Sequence, residues 1–432
     1  MKGSTKKWLV PFAAVALLVA ACNGDTGNGD DNGTADDGDD NGAAAEANGD
    51  GDPLQLGYVL PETGDLAFLG PPQIEATNYA ISQINEAGGV LGAEMPDPVG
   101  GDEGADQAVA SQSTDRVLGA GVDAVIGAAA SGMSLAIIDR ITGEEVVQCS
   151  GSNTAPTFTD YDHGGYYIRT APSDALQGPV LAETIINDGH QEVVIVYRED
   201  DYGLGLAEAT QDGIEDGGGN VISNEGYDPN ATEFSAVAQS VVSADPDAVV
   251  IVAFEEGTQI IQGIIEAGLT PQDIGFYGAD GMRSTDLANI VDSSDPGVLD
   301  GMKGTAPASA ESPEFLDGLV EFADGLDETQ FAPQVFDCVM IIALAAEAAG
   351  STTPSDFAPE MIGITRDGTD CSSFAECRDL LADGEDINYN GVSGPLNFTE
   401  AGEPEVASIE VYGYDEEGTL STIEVVESAP LE

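Results

Sequence analysis

The chain has 432 residues, 42% of them hydrophobic, with 22 prolines, which is enough for two packed domains and excludes a small disulfide-stapled scaffold. Its formal net charge is -68, and beyond Lys2, Lys6 and Lys7 only eight of the 11 Lys and Arg remain, so nucleic acid and anionic lipid headgroups are excluded as partners. Self-repulsion on this scale is relieved where the Debye length shrinks to roughly 3 Å at 1 M salt; the composition points to a salt-tolerant host, and acidic residues that merely solvate a surface give the same balance.

In chain order, the three lysines precede an apolar run, Trp8 to Ala21, that is too short to span a bilayer comfortably, so residues 1–21 are expected to be an export signal outside the fold. Val19-Ala20-Ala21-Cys22 resembles the lipobox of bacterial lipoproteins, which implies a lipid on Cys22 and an address on the outer face of the cytoplasmic membrane. Residues 22–53 are nearly all Gly, Asp, Asn and Ala with no aromatic side chain; too little apolar surface is present to offset chain entropy, and the segment reads as an acidic tether.

After the tether, short apolar runs alternate with amphipathic segments. Leu54 to Leu60 reads as a strand and Pro71 onward as a helix with Ile74, Tyr79, Ala80, Ile81 and Ile84 at helical spacing. Strands are expected at 122–126, 145–149, 192–197, 220–223, 247–254 and 274–277, and helices at 131–141, 205–215, 232–244 and 258–268. This alternation indicates parallel sheets covered on both faces, and the strands are too many for one sheet, so the fold class is α/β with two doubly wound lobes. Breaks fall at Ala171-Pro172 and Ala306-Pro307; an apolar helix follows at 335–349, and 406–414 with 420–426 reads as a hairpin around Asp415 to Gly418.

Once Cys22 is set aside, four cysteines remain. Cys371 and Cys377 suit a short-loop disulfide, whereas Cys149 and Cys338 lie in apolar runs and either pair across the core or are buried thiols. His163 and His190 share no ligand-like spacing with a cysteine, so neither a metal nor another cofactor is expected.

Gly57-Tyr58-Val59-Leu60-Pro61 with Thr63-Gly64, Ala87-Gly88-Gly89-Val90-Leu91-Gly92, Asp200-Asp201-Tyr202-Gly203-Leu204-Gly205 and Val392-Ser393-Gly394-Pro395-Leu396 occur in this order. The set resembles the branched-chain amino acid (Leu/Ile/Val-type) substrate-binding proteins of ABC transporters and covers roughly residues 54 to 425. The resemblance implies a type I periplasmic-binding fold, with lobe 1 at 54–170 plus 307–390 and lobe 2 at 171–306 plus 391–432, joined by a three-crossover hinge that closes on ligand.

In such sheets ligands bind beyond the carboxyl ends of the strands. Ser131 follows one strand and is expected to cap the next helix, whose free N–H groups and positive dipole end would, by the resemblance, receive a ligand carboxylate. Ser152 and Thr154, in Ser150 to Pro156, match positions that hold both ends of an amino acid in the family. Tyr202 and Phe254 suit the cleft walls, or equally core packing, and Phe68 matches a position that caps the side-chain pocket. Asp280 stands at a strand end where a carboxylate can pair with an ammonium group; by the resemblance an acid here receives an α-amino group, which favours amino acids over amides, urea or aromatic acids, and one more acid in an acidic chain looks the same.

The expected function is therefore extracytoplasmic capture of an amino acid by a monomer and delivery to ABC permease and ATPase subunits. A ligand-sensing module for a membrane receptor would have the same fold, and the lack of a segment after Glu432 favours delivery. No nucleophile elbow, phosphate loop or metal cluster supports an enzyme.

Overall fold

The computed structural model describes residues 52–308 and 313–431; the expected leader, Cys22 and the tether up to residue 51 lie outside them. The chain begins with β1 (Leu56–Val59), α1 (Gly70–Glu86), α2 (Gln107–Leu118), β2 (Ala124–Gly127), α3 (Ser131–Thr142), β3 (Val147–Ser150) and β4 (Tyr167–Arg169). These four strands pair in the order β1-β2-β3-β4, all parallel, and Gly57 and Leu60 on the other side of β1 bridge to Val99 and Asp102. Helices cover both faces, so the strands are buried throughout and read as continuous apolar runs rather than alternating ones.

The chain then crosses over and builds α4 (Asp174–Asn187), β5 (Glu192–Arg198), α5 (Asp201–Asp216), β6 (Asn220–Tyr227), α6 (Ser235–Ala244), β7 (Ala248–Val252), α7 (Gly257–Glu266), β8 (Gly275–Gly278), α8 (Leu287–Val291) and β9 (Lys303–Pro307). It returns with α9 (Pro313–Phe322), α10 (Ala332–Ala349), α11 (Pro354–Phe357), β10 (Thr369–Cys371), α12 (Phe374–Ala382) and β11 (Ile387–Tyr389), and crosses again into β12 (Ser408–Tyr414) and β13 (Leu420–Glu427). The second sheet has the order β13-β12-β9-β8-β7-β5-β6, parallel except for β12, which runs antiparallel to β9 and β13. Asp415 makes the hairpin turn by accepting from the N–H groups of Glu417 (3.0 Å) and Thr419 (2.8 Å).

The α/β reading with two parallel-sheet lobes matches this architecture. Helix α10 is buried along nearly its whole length against α1 and the back of the first sheet, and a Cys149–Cys338 disulfide ties β3 to it. A second disulfide, Cys371–Cys377, joins β10 to α12. Some boundaries differ from the sequence expectations. The helix placed at 205 begins at Asp201, because Asp200 caps it by accepting from the Gly203 N–H at 2.9 Å; the Tyr-Gly-Leu-Gly run that resembles a loop is its first turn. The helix placed at 232 begins at Ser235, and the strand drawn to Phe254 ends at Val252, which frees Phe254 from the ladder. Helices α2 and α4 were not anticipated, and α4 carries Pro179 in its interior.

Candidate functional site

Both sheets have a switch point, the place where an open α/β sheet leaves a crevice. In the first it lies at β1, between β2 and the 99–102 segment; in the second it lies at β5, between β6 and β7. The connections leaving the strands converge on a small cavity of about 20 Å³. Ser131, Ser152 and Thr154 line it from the first lobe and Tyr202, Phe254 and Asp280 from the second. Phe68 does not line this cavity. It borders an adjoining recess of about 100 Å³ with Met282 and Leu287, which shares Phe254 and Gly281 with the first.

On the first-lobe side, the loop after β3 is pinned by its own polar groups. Ser150 Oγ accepts from the N–H groups of Ser152 (3.3 Å) and Asn153 (3.0 Å), and Asn153 Nδ2 donates to the carbonyls of Ala128 (3.1 Å) and Ala129 (2.8 Å). Arg169 Nη1 donates to the carbonyls of Asn153 (3.3 Å) and Ala155 (2.8 Å), which brackets Thr154 from below. The Arg169 charge is answered by buried Glu403, bonded to its Nε at 2.7 Å. Ser152 Oγ donates to Gln73 Oε1 at 3.0 Å, and Gln73 Nε2 donates to Leu69 O at 3.0 Å.

The expectation that Ser131 caps α3 is corrected. Ala130 is the N-cap, Ser131 is the first helical residue, and Ser131 Oγ accepts from the Ala155 N–H at 3.2 Å, stitching the two ligand-facing loops together. The capping work falls to Glu103, which accepts from the N–H groups of Ala129 and Ala130. Burial pushes the Glu103 carboxyl up to about 8, with those two N–H groups acting against the shift. The N–H groups of Ser131 and Gly132 are among the first-turn donors that a helix leaves without intrahelical partners, and both residues front the cleft.

On the second-lobe side, Asp280 Oδ1 accepts from Tyr202 Oη (2.8 Å) and Gln177 Nε2 (3.1 Å), and Gln330 Nε2, just before α10, reaches across the gap to the Asp280 carbonyl at 2.9 Å. Asp174, at the start of α4, is fully buried; the Thr154 hydroxyl and the Arg169 charge both favour its ionised form, and neither offsets the loss of water. Burial, reinforced by the charge of Asp280, raises Asp174 well above the carboxylate range; burial raises Asp280 to about 6 against the pull of its Tyr202 and Gln177 bonds. The cavity thus brings the hydroxyls of Ser131, Ser152 and Thr154 together with the Asp280 carboxyl, and Asp174 is buried close behind.

Sequence reasoning missed Gln73, Glu103, Asp174, Gln177 and Gln330. Ser173-Asp174 carries a legible helix-start signal, Ser173 Oγ accepting from the Ala175 N–H at 3.3 Å, but the burial of Asp174 beside Asp280 arises only when the lobes meet.

Two α/β lobes with facing switch points and one small polar cavity between them define a bilobal solute-binding protein. The sequence profile of the periplasmic binding protein family matches residues 53–404, and the chain belongs to that family, with the type I fold. It is similar to the leucine-specific-binding protein of Salmonella typhimurium, 25% identical over 373 residues that cover 85% of this chain and 92% of that one. It is also similar to the chemotactic signal transduction system substrate-binding protein BasB of Halobacterium salinarum, 25% identical over 369 residues, 82% of this chain and 85% of that one. Among solved structures, the leucine binding protein LivK of Thermotoga maritima shares the fold with a TM-score of 0.72 at 24% identity, covering 86% of this chain and 98% of that one.

Proposed function

We propose that this substrate-binding protein captures a zwitterionic amino acid between its lobes and delivers it to the permease and ATPase subunits of an ABC importer. The observation that carries the reading is the polarity of one cavity. Ser131 at the tip of α3, with Ser152 and Thr154, suits an α-carboxylate, and Asp280 at the other end suits an α-ammonium, where a charge-assisted bond out of water is strong. Burial keeps the proton on Asp174 beside it, so the charge that would meet the ammonium is that of Asp280. Tyr202 and Phe254 wall the ligand, and Phe68 closes the apolar recess that would receive a side chain.

The proposed lobes are 54–170 with 307–390 and 171–306 with 391–432, hinged at the three crossovers, and the protein acts as a monomer. Lipidation of Cys22 would hold it at the outer face of the membrane on its acidic tether. Thermal-shift screening of residues 54–432 in molar salt against amino acids, amides, urea and aromatic acids tests the ligand class, since a ligand that binds only the folded state raises its melting point. The largest shift is expected from a zwitterionic amino acid; a response confined to uncharged amides would remove Asp280 from the ammonium role. Labelling with a radioactive fatty acid, lost on Cys22→Ala, tests the anchor.

A sensing role is the second reading, favoured by the similarity to a substrate-binding protein named for chemotactic signal transduction. Deletion of the gene that abolishes taxis toward the ligand but leaves its uptake intact would select it.

A further inference from the structure

Beyond the residues facing the cavity, the geometry points to Arg198 as a positioning residue that sets the angle of the Phe254 wall and thereby the size of ligand side chain the site accepts. The inference rests on reading the cavity as the ligand site. Outside the N-terminal lysines the chain carries only eight Lys and Arg, yet Arg198 is 8% exposed and already matched by two acids, so surface neutralisation does not account for it.

Its guanidinium carbon lies 3.5 Å from the centroid of the Phe254 ring. Phe254 also stacks on Tyr202 with centroids 5.2 Å apart and planes 21° from parallel, and the Tyr202 hydroxyl donates to Asp280. Arg198, Phe254, Tyr202 and Asp280 therefore form one stacked and bonded series from the mouth of the cleft to its acidic end.

The guanidinium plane is itself held. Nε donates to Asp200 Oδ2 at 2.6 Å and Nη1 to Glu256 Oε1 at 2.8 Å, while Tyr227 Oη donates to the same Glu256 oxygen at 2.9 Å. Glu256 Oε2 accepts from the Phe254 N–H at 3.1 Å, so a single carboxylate fixes both the cation and the backbone of the ring beneath it.

Two glycines make the stack possible. A Cβ at Gly203 would lie 2.1 Å from the Arg198 carbonyl oxygen and 2.7 Å from Arg198 Cγ; a Cβ at Gly281 would lie 2.6 Å from Phe254 Cδ1. A planar fork that bonds two acids in its plane while stacking through its face is a task for arginine; the point charge of a lysine cannot do both.

The test compares the wild-type domain with Arg198→Met, Arg198→Lys and Glu256→Gln. Calorimetry across the amino acids gives the ratio of affinities for the best ligand and for phenylalanine, and NMR of ring-labelled phenylalanine, with Phe254 assigned through Phe254→Leu, gives the ring-flip rate. Arg198→Met is expected to weaken the best ligand about tenfold, mainly through faster dissociation, to reduce the selectivity ratio about fivefold, and to speed Phe254 flipping about tenfold. Arg198→Lys should fail to restore selectivity, and Glu256→Gln should move every readout the same way by less.

A purely structural role would lower the melting point and scale all affinities alike. An unchanged selectivity ratio with an unchanged flip rate overturns the proposal, and so does a faster ring with unchanged selectivity. If the wild type binds no amino acid, the ligand reading fails by itself, and the selectivity comparison is made with the strongest ligand of the amide and aromatic-acid panel. Should Arg198→Met not fold, Arg198→Lys and Glu256→Gln carry the same comparison.

Discussion

Replacing Asp280 by Asn is expected to damage binding and improve folding at once. Asp280 is buried, and its carboxyl rises from the ordinary 3.8 to about 6 because burial penalises the ionised form. The native state therefore keeps its proton at a pH where the unfolded chain has lost it. Stability is full below the unfolded value and falls as pH rises through about 6; at about 1.4 kcal/mol per pH unit the loss amounts to about 3 kcal/mol by pH 8. Asn keeps an acceptor for Tyr202 and Gln177 and carries no such loss, so Asp280→Asn should be up to about 3 kcal/mol more stable than wild type at pH 8 and nearly equal to it at pH 4. Removing one partner of a buried ion pair costs about 3–5 kcal/mol, so affinity for a zwitterionic amino acid should fall by roughly 10²- to 10⁴-fold. Urea unfolding at both pH values and calorimetry on ligand-stripped protein, all in molar salt, measure the two effects. An Asn variant that binds the amino acid as tightly as wild type, or that is less stable than it at pH 8, refutes the assignment.

The same titration makes wild-type affinity pH-dependent: an ammonium favours the ionised Asp280, so binding should release a proton and strengthen as pH rises toward about 6, then level off; calorimetry in buffers of different ionisation enthalpy counts the proton. Glu103, raised to about 8, should contribute a further decline in unfolding free energy between pH 5 and 8, of a few kcal/mol, that Glu103→Gln flattens in urea titrations. For the disulfides, Cys149 and Cys338 are 189 residues apart and Cys371 and Cys377 are 6 apart, so chain entropy assigns about 5 and about 2 kcal/mol respectively, and double Ala replacements of each pair should rank in that order. Unfolding free energy of the -68 chain should rise between dilute buffer and molar salt; a flat response would argue against a salt-tolerant host.

Much of the architecture was legible because parallel strands covered on both faces leave continuous apolar runs, as at Ala124–Gly127 and Ala248–Val252, and a period-2 signal was not needed. The residues that follow those runs were legible because strand ends are local in sequence on each lobe, and the family resemblance singled out among them Ser131, Ser152, Thr154, Tyr202, Phe254 and Asp280, which line one cavity. What stayed hidden acts across distance. Glu103 reaches the N–H groups of Ala129 and Ala130 from a segment that pairs with β1 only through isolated bridges, and nothing in Asp102-Glu103-Gly104 distinguishes it from other acids of the chain. Ser131 has the residue type of a cap but is the first helical residue; its hydroxyl is engaged by Ala155, 24 residues on, and the N–H groups just before the helix go to Glu103. Gln73 and Gln177 lie on helical faces where a glutamine usually meets water; their burial follows from which lobe surface each helix presents to the gap.

Gln330 on the Asp280 carbonyl and Arg283, whose Nη1 lies 3.4 Å from Glu328, join the two sides of the gap, while Asp174 and Asp280 are enclosed behind them. Shutting an empty cleft thus means confining two acids whose ionised forms burial disfavours, whereas a guest bearing an ammonium group would bring Asp280 a counter-charge with it. Occupancy is thereby written into the shape of the molecule, and a membrane partner that docks only on the shut form would sample loaded carriers and pass over vacant ones.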